Sequence, residues 1–115
     1  MQKTLYLILV ATLTLAACDE ADIEKGTPSC VRQKTINLAR ASTCQEGGAS
    51  VVEYTFQGQT VYSFNPGQCS VVGAEITDGN CNTLGYIGGR GFVVNLKING
   101  ELFSNAVYKR TIWEQ

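Results

Sequence analysis

Five cysteines and no histidine set the chemistry open to this chain. A thiol can carry a lipid through a thioether, pair with another thiol, hold zinc, or act as a nucleophile beside a base. Without histidine there is no Ser-His or Cys-His nucleophile pair and no His metal site. Cys30, Cys44, Cys69 and Cys81 are spaced 14, 25 and 12 residues apart with no C-x-x-C pair, which argues against zinc. An even set of cysteines in a small exported domain reads instead as a disulfide framework. Cys18 stands apart from the other four, at the end of an apolar run, and is assigned a different chemistry.

Lys3 supplies a positive charge, and Leu5, Tyr6, Leu7, Ile8, Leu9, Val10 and Ala11 begin an apolar run that continues to Ala17, interrupted by threonines. The run is about a dozen residues, short of the roughly 20 a spanning helix needs, so it reads as the apolar region of a signal peptide. It ends in Leu15-Ala16-Ala17-Cys18, which resembles the bacterial lipobox: a branched residue, two small ones and an obligatory cysteine. The small residues suit a peptidase pocket, and the thiol is needed for the thioether to diacylglycerol. Residues 1–17 are therefore expected to be a cleaved signal and Cys18 the lipidated first residue. Stable anchoring takes two signals, and more than one acyl chain on Cys18 meets that requirement.

Other candidates for chemistry are weaker. Glu53 sits mid-strand among aromatics and could be a raised-pKa carboxylate. No second carboxylate can be placed beside it from sequence, and a solvent-facing Glu is the expected reading. Gly85-Tyr86-Ile87-Gly88-Gly89-Arg90-Gly91 lacks the Lys-Ser/Thr ending of a phosphate loop and reads as tight turns. Tyr108 and Trp113 read as core or sheet-edge packing rather than a ligand platform. No metal or cofactor site is expected.

Charge follows the same division of the chain. Of nine Lys and Arg only Lys3 precedes Cys18, leaving eight against ten acids, a net of −2. No basic patch of the kind nucleic-acid binding requires is present. Asp19, Glu20, Asp22 and Glu24 make residues 18–27 an acidic tether, expected to stay solvated and to repel anionic headgroups. Acids in this position act as sorting signals in some Gram-negative bacteria, for inner-membrane retention in some and surface export in others. The sequence leaves the membrane and the face open.

The elements that must position these residues lie in 28–115, one domain by length. Thr27-Pro28 reads as an N-cap and first helical position. Val31, Thr35, Leu38, Ala39 and Ser42 then repeat at helical spacing over 28–41, with Ile36 off the stripe, and Gly47-Gly48 ends the helix. Strands are expected at 51–56 and 60–64, joined through Gly58. A three-residue loop, 57–59, would set Tyr54 opposite Tyr62 and Val52 opposite Phe64, gathering the aromatics on one face, and is preferred on the premise that one face is buried. Residues 67–91 are expected to be irregular. Phe92 to Ile98 reads as a strand, Asn99-Gly100 as a tight hairpin turn, Glu101 to Phe103 as its return, and Val107 to Trp113 as a last strand. The expected fold is α+β: one N-terminal helix packed on a small antiparallel sheet of about four to five strands, stabilised by disulfides.

The pairing follows from those elements. With a helix to residue 41, Cys30 and residue 41 lie about 16 Å apart at roughly 1.5 Å per residue, so Cys44 would have to double straight back. That disfavours Cys30–Cys44 without excluding it. Cys44 and Cys69 both lie beyond the open end of the 51–64 hairpin, which favours Cys44–Cys69 and leaves Cys30–Cys81.

Glu53-Tyr54-Thr55-Phe56-Gln57-Gly58-Gln59-Thr60-Val61-Tyr62, followed by Pro66-Gly67-Gln68-Cys69 and Asp78-Gly79-Asn80-Cys81, resembles a family of small bacterial lipoproteins of unknown function. The ending Ile98-Asn99-Gly100-Glu101 and Arg110-Thr111-Ile112-Trp113 belongs to the same resemblance, which spans about residues 28–113. It implies export, a lipid anchor and structural cysteines, and lends no catalytic residue. The function expected is a lipid-anchored binding or interaction module of the cell envelope with a protein partner. The alternatives are a small disulfide-stabilised inhibitor of an exported hydrolase, its Gly-rich loop entering an active site, and an enzyme working with carboxylates alone. The chain is not expected to be an enzyme.

Overall fold

The computed structural model describes residues 22–41, 47–67, 73–89 and 94–115. Helix α1 spans Ser29–Ala41. Its inward stripe is the expected one: Val31 and Thr35 are buried and Leu38 packs partly against them. The Thr35 hydroxyl donates to the Val31 carbonyl at 2.7 Å, which lets a polar side chain occupy a dry position. Ile36, off the stripe, also packs against this core. Thr27 does not cap the helix. Its hydroxyl donates backward to the Glu24 carbonyl at 2.6 Å, and the helix opens with the Arg32 N–H donating to the Pro28 carbonyl.

Strands β1 (Ser50–Phe56), β2 (Gln59–Asn65), β3 (Ala74–Thr77) and β4 (Thr83–Ile87) form an antiparallel meander. The short hairpin β5 (Lys97–Ile98) and β6 (Glu101–Leu102) leads through a 3-10 turn, Phe103–Asn105, into β7 (Val107–Glu114). β7 returns beside β1, so the sheet order is β4-β3-β2-β1-β7. Among the described residues the fold is α+β, with one helix on a five-stranded antiparallel sheet.

The β1–β2 turn corrects the expected register. Gln57 and Gly58, with φ of 51° and 75°, form a two-residue turn, the arrangement in which both central residues need positive φ. Tyr54 therefore faces Val61, Glu53 faces Tyr62, and Val51 faces Phe64. The aromatics fall on both faces because both faces are buried, which removes the premise of the longer loop. One face carries α1 over Val51, Tyr62, Phe64 and Ile112. The other carries Ile98, Phe103 and Ala106 over Phe56, Val61 and Ile76.

Two further expectations change. Residues 67–91 are not irregular throughout, since they contain β3 and β4. Their turn is tied by the Asp78 carboxylate, which accepts from the Asn80 and Asn82 N–H groups at 2.9 Å each and from the Asn82 side chain at 3.0 Å. These bonds, with those from Asn82 foremost, hold the Asp78 carboxyl below its ordinary range. The strand expected from residue 92 is reduced, among the described residues, to Lys97–Ile98 and an isolated bridge between Gly88 and Asn95. The Asn95 side chain takes the Tyr86 and Lys97 carbonyls at 2.7 and 2.9 Å, competing with a regular ladder. The Asn99-Gly100 turn forms as expected, with φ of 50° and 82°. Its hairpin can lie close on the sheet because Gly85 has no side chain there: a Cβ would meet Ile98 Cδ1 at 2.7 Å.

Candidate functional site

Register places one cross-strand row under the helix: Trp113 beside Val51, then Phe64, Glu75 and Tyr86. Over the far half of that row, α1 contributes Lys34 and, one turn further on, Asn37 and Leu38. Between helix and strands lies a groove of about 400 Å³, with Pro66 and Gly73 also in its lining. Lys34 Nζ is 2.8 Å from Glu75 Oε1 and 5.4 Å from the centroid of the Phe64 ring. The Thr83 hydroxyl donates to the other Glu75 oxygen. Burial alone would push the Glu75 carboxyl up. The hydrogen bonds from Lys34 and Thr83 and the Lys34 charge outweigh it and hold it below its ordinary range. Tyr86 is half exposed at the mouth. The walls are largely apolar, with Lys34, Asn37 and Glu75 as the charged and amide groups among them, which is the make-up of a small-ligand or side-chain site.

A second constellation occupies the neighbouring row. Glu53, expected to face solvent, is buried at 6% exposure. Arg110 Nε and Nη2 each lie 3.3 Å from Glu53 Oε1, and Lys109 Nζ lies 3.7 Å from Oε2. Adjacent strand residues ordinarily point to opposite faces. Here β7 slips register against β1 between Glu53 and Tyr54, so Lys109 and Arg110 both reach the same carboxylate. The Tyr62 hydroxyl donates to Glu53, and burial first, then that bond and the Glu53 charge, push the Tyr62 phenol up to about 12, with Arg110 pulling the other way. Arg110 Nη1 also donates to the Lys25 carbonyl at 2.6 Å. With cations against both oxygens, Glu53 joins three segments of chain.

A third feature is a groove of about 410 Å³ on the opposite sheet face, walled by Tyr54, Ile87, Leu96, Phe103 and Ala106. Tyr54 packs edge-on to Phe103 and Tyr108, with ring centroids 5.2 and 6.3 Å apart.

Of the residues singled out in the sequence, Cys30 and Cys81 are joined in a disulfide. It ties the start of α1 to the β3–β4 turn, where Cys81 takes a φ of 65°. Cys18, Cys44 and Cys69 lie outside the described residues. Trp113 packs partly against the helix-side core, while Tyr108 is exposed. Among the described residues, no three acids or thiols gather as a metal site. Lys34, Glu75 and Tyr86 carried no signal in the sequence. Lys34 is 41 residues from Glu75, and only the sheet register brings them together. The family described as Domain of unknown function (DUF6970) matches residues 37–115. No curated protein matches the chain, and no solved structure does.

Proposed function

We propose that this chain, which belongs to the DUF6970 family, is a lipid-anchored binding module of the bacterial cell envelope, with the groove between α1 and strands β2–β4 as its binding site. The anchoring half rests on Leu15-Ala16-Ala17-Cys18 after the apolar run. The binding half rests on one observation: an ion pair, Lys34–Glu75, held on the Phe64 ring beside a half-exposed Tyr86. Such a site accepts a ligand with an apolar body, for Leu38, Phe64 and Tyr86, and a polar head, for Lys34 and Asn37. The reading involves no catalysis.

The test uses the full-length protein, extracted in detergent and immobilised against envelope extract. Wild type should retain a partner that Lys34→Ala and Tyr86→Ala both lose. Retention by all three proteins alike, or by none, overturns the groove as the site. A single hydrolase, retained one-to-one and silenced, would make the protein an inhibitor instead.

A further inference from the structure

The stretch following the lipidated cysteine is expected to be a solvated spacer as far as residue 27, but from Ile23 onward it is part of the folded domain. Ile23 is buried in the helix-side core with Ile112. The Glu24 N–H donates to the Ile112 carbonyl at 2.9 Å, covering part of the outer edge of β7 as an added strand would. Arg110 holds the Lys25 carbonyl, and Thr27 closes the turn onto Glu24. The docked chain therefore begins five residues after Cys18. Whatever path those residues take, Cys18 Cα can lie no more than about 18 Å from Ile23 Cα, at no more than about 3.6 Å per residue.

We propose that the β7 edge is the membrane-facing side of the molecule, held against the lipid headgroups by this short attachment. The inference rests on lipidation of Cys18 and deepens that reading by assigning the lipid surface its place on the fold. Strands in a sheet are spaced about 4.8 Å apart, so β4 lies four steps, about 19 Å, from β7. The β4 edge then points away from the bilayer, carrying Tyr86 and the mouth of the groove into the envelope space. Asp22 and Glu24 are exposed, and their charge keeps this edge out of the hydrocarbon.

The chain supplies its own reporter. Trp113, its single tryptophan, lies on β7, and Tyr86 ends the same cross-strand row on β4. Full-length lipidated protein is bound to phosphatidylcholine vesicles containing dansyl-headgroup phosphatidylethanolamine. Energy transfer from Trp113 is compared with transfer from a Trp113→Phe, Tyr86→Trp protein. Trp113 should transfer at least about twofold more efficiently, given about 19 Å between the two positions. A ten-residue Gly-Ser insertion directly after Cys18 leaves the fold untouched and adds roughly 17 Å of reach, so it should bring the two efficiencies together. Equal transfer without the insertion, or a difference the insertion does not reduce, overturns the orientation alone. Protein that fails to float with vesicles overturns the lipid anchor, and the orientation with it.

Discussion

Tyr62 reports on its own burial. In the unfolded chain its phenol titrates near 10.0, and in the fold it is pushed up to about 12. A raised folded pKa means that the folded state holds the proton more tightly. The resulting stabilisation is fully present below pH 10 and is lost as pH rises through about 12, on the order of 2 kcal/mol. Burial and Tyr108 raise the Tyr54 phenol as well, so spectrophotometric titration should show Tyr54 and Tyr62 ionising late, and Tyr62→Phe should remove the phase that accompanies loss of structure. The neighbouring cations divide differently. Arg110→Ala leaves the Glu53 carboxylate buried without its closest cation and frees the Lys25 carbonyl, for an expected loss of roughly 3 kcal/mol. Lys109 is nearly half exposed and 3.7 Å away, so Lys109→Ala should cost only about 0–1 kcal/mol. Equal effects of the two substitutions in urea denaturation would show that the burial of Glu53 is not what separates them.

The Cys30–Cys81 bridge joins elements 51 residues apart. It fastens the first turn of α1 to the β3–β4 turn, and so fixes the helix over the row that contains Phe64 and Glu75. In the chain-entropy account, closing a loop of this length contributes roughly 4 kcal/mol. The Cys30→Ser, Cys81→Ser double variant should lose a comparable amount in denaturant unfolding under oxidising conditions. It should also loosen the Lys34–Glu75 pair, read as a Glu75 carboxyl moving up from its lowered value in an NMR titration. The helix stripe and the Asn99-Gly100 turn were legible in the sequence because each is set by residues close in the chain. The β1–β2 register was not: choosing between a two- and a three-residue turn depends on how many faces of the sheet are covered. The second cover, Ile98 with Phe103, arrives from more than thirty residues away.

At the scale of the whole molecule, the expected consequence of Cys18→Ser is loss of membrane association and of signal processing, because only the thiol can take the diacylglycerol. Labelling cells with radioactive palmitate checks this, and label appearing in the serine variant would sink the lipid-anchor reading. The α+β class, the helix and its inward face, the last strand and the Cys30–Cys81 pairing could all be argued from residue order. Each depends on local spacing or on the short list of partners four cysteines allow. Tertiary structure alone decided that Glu53 is buried rather than solvent-facing, because a slip in β7 register aims both Lys109 and Arg110 at it. It alone made a hairpin of β3 and β4, whose four and five residues are too short to carry a period and are held by the Asp78 turn and by pairing with β2. It alone assembled the Lys34–Glu75–Tyr86 groove, since residues from a helix and two strands meet only when a sheet has chosen its register and a helix its place above it.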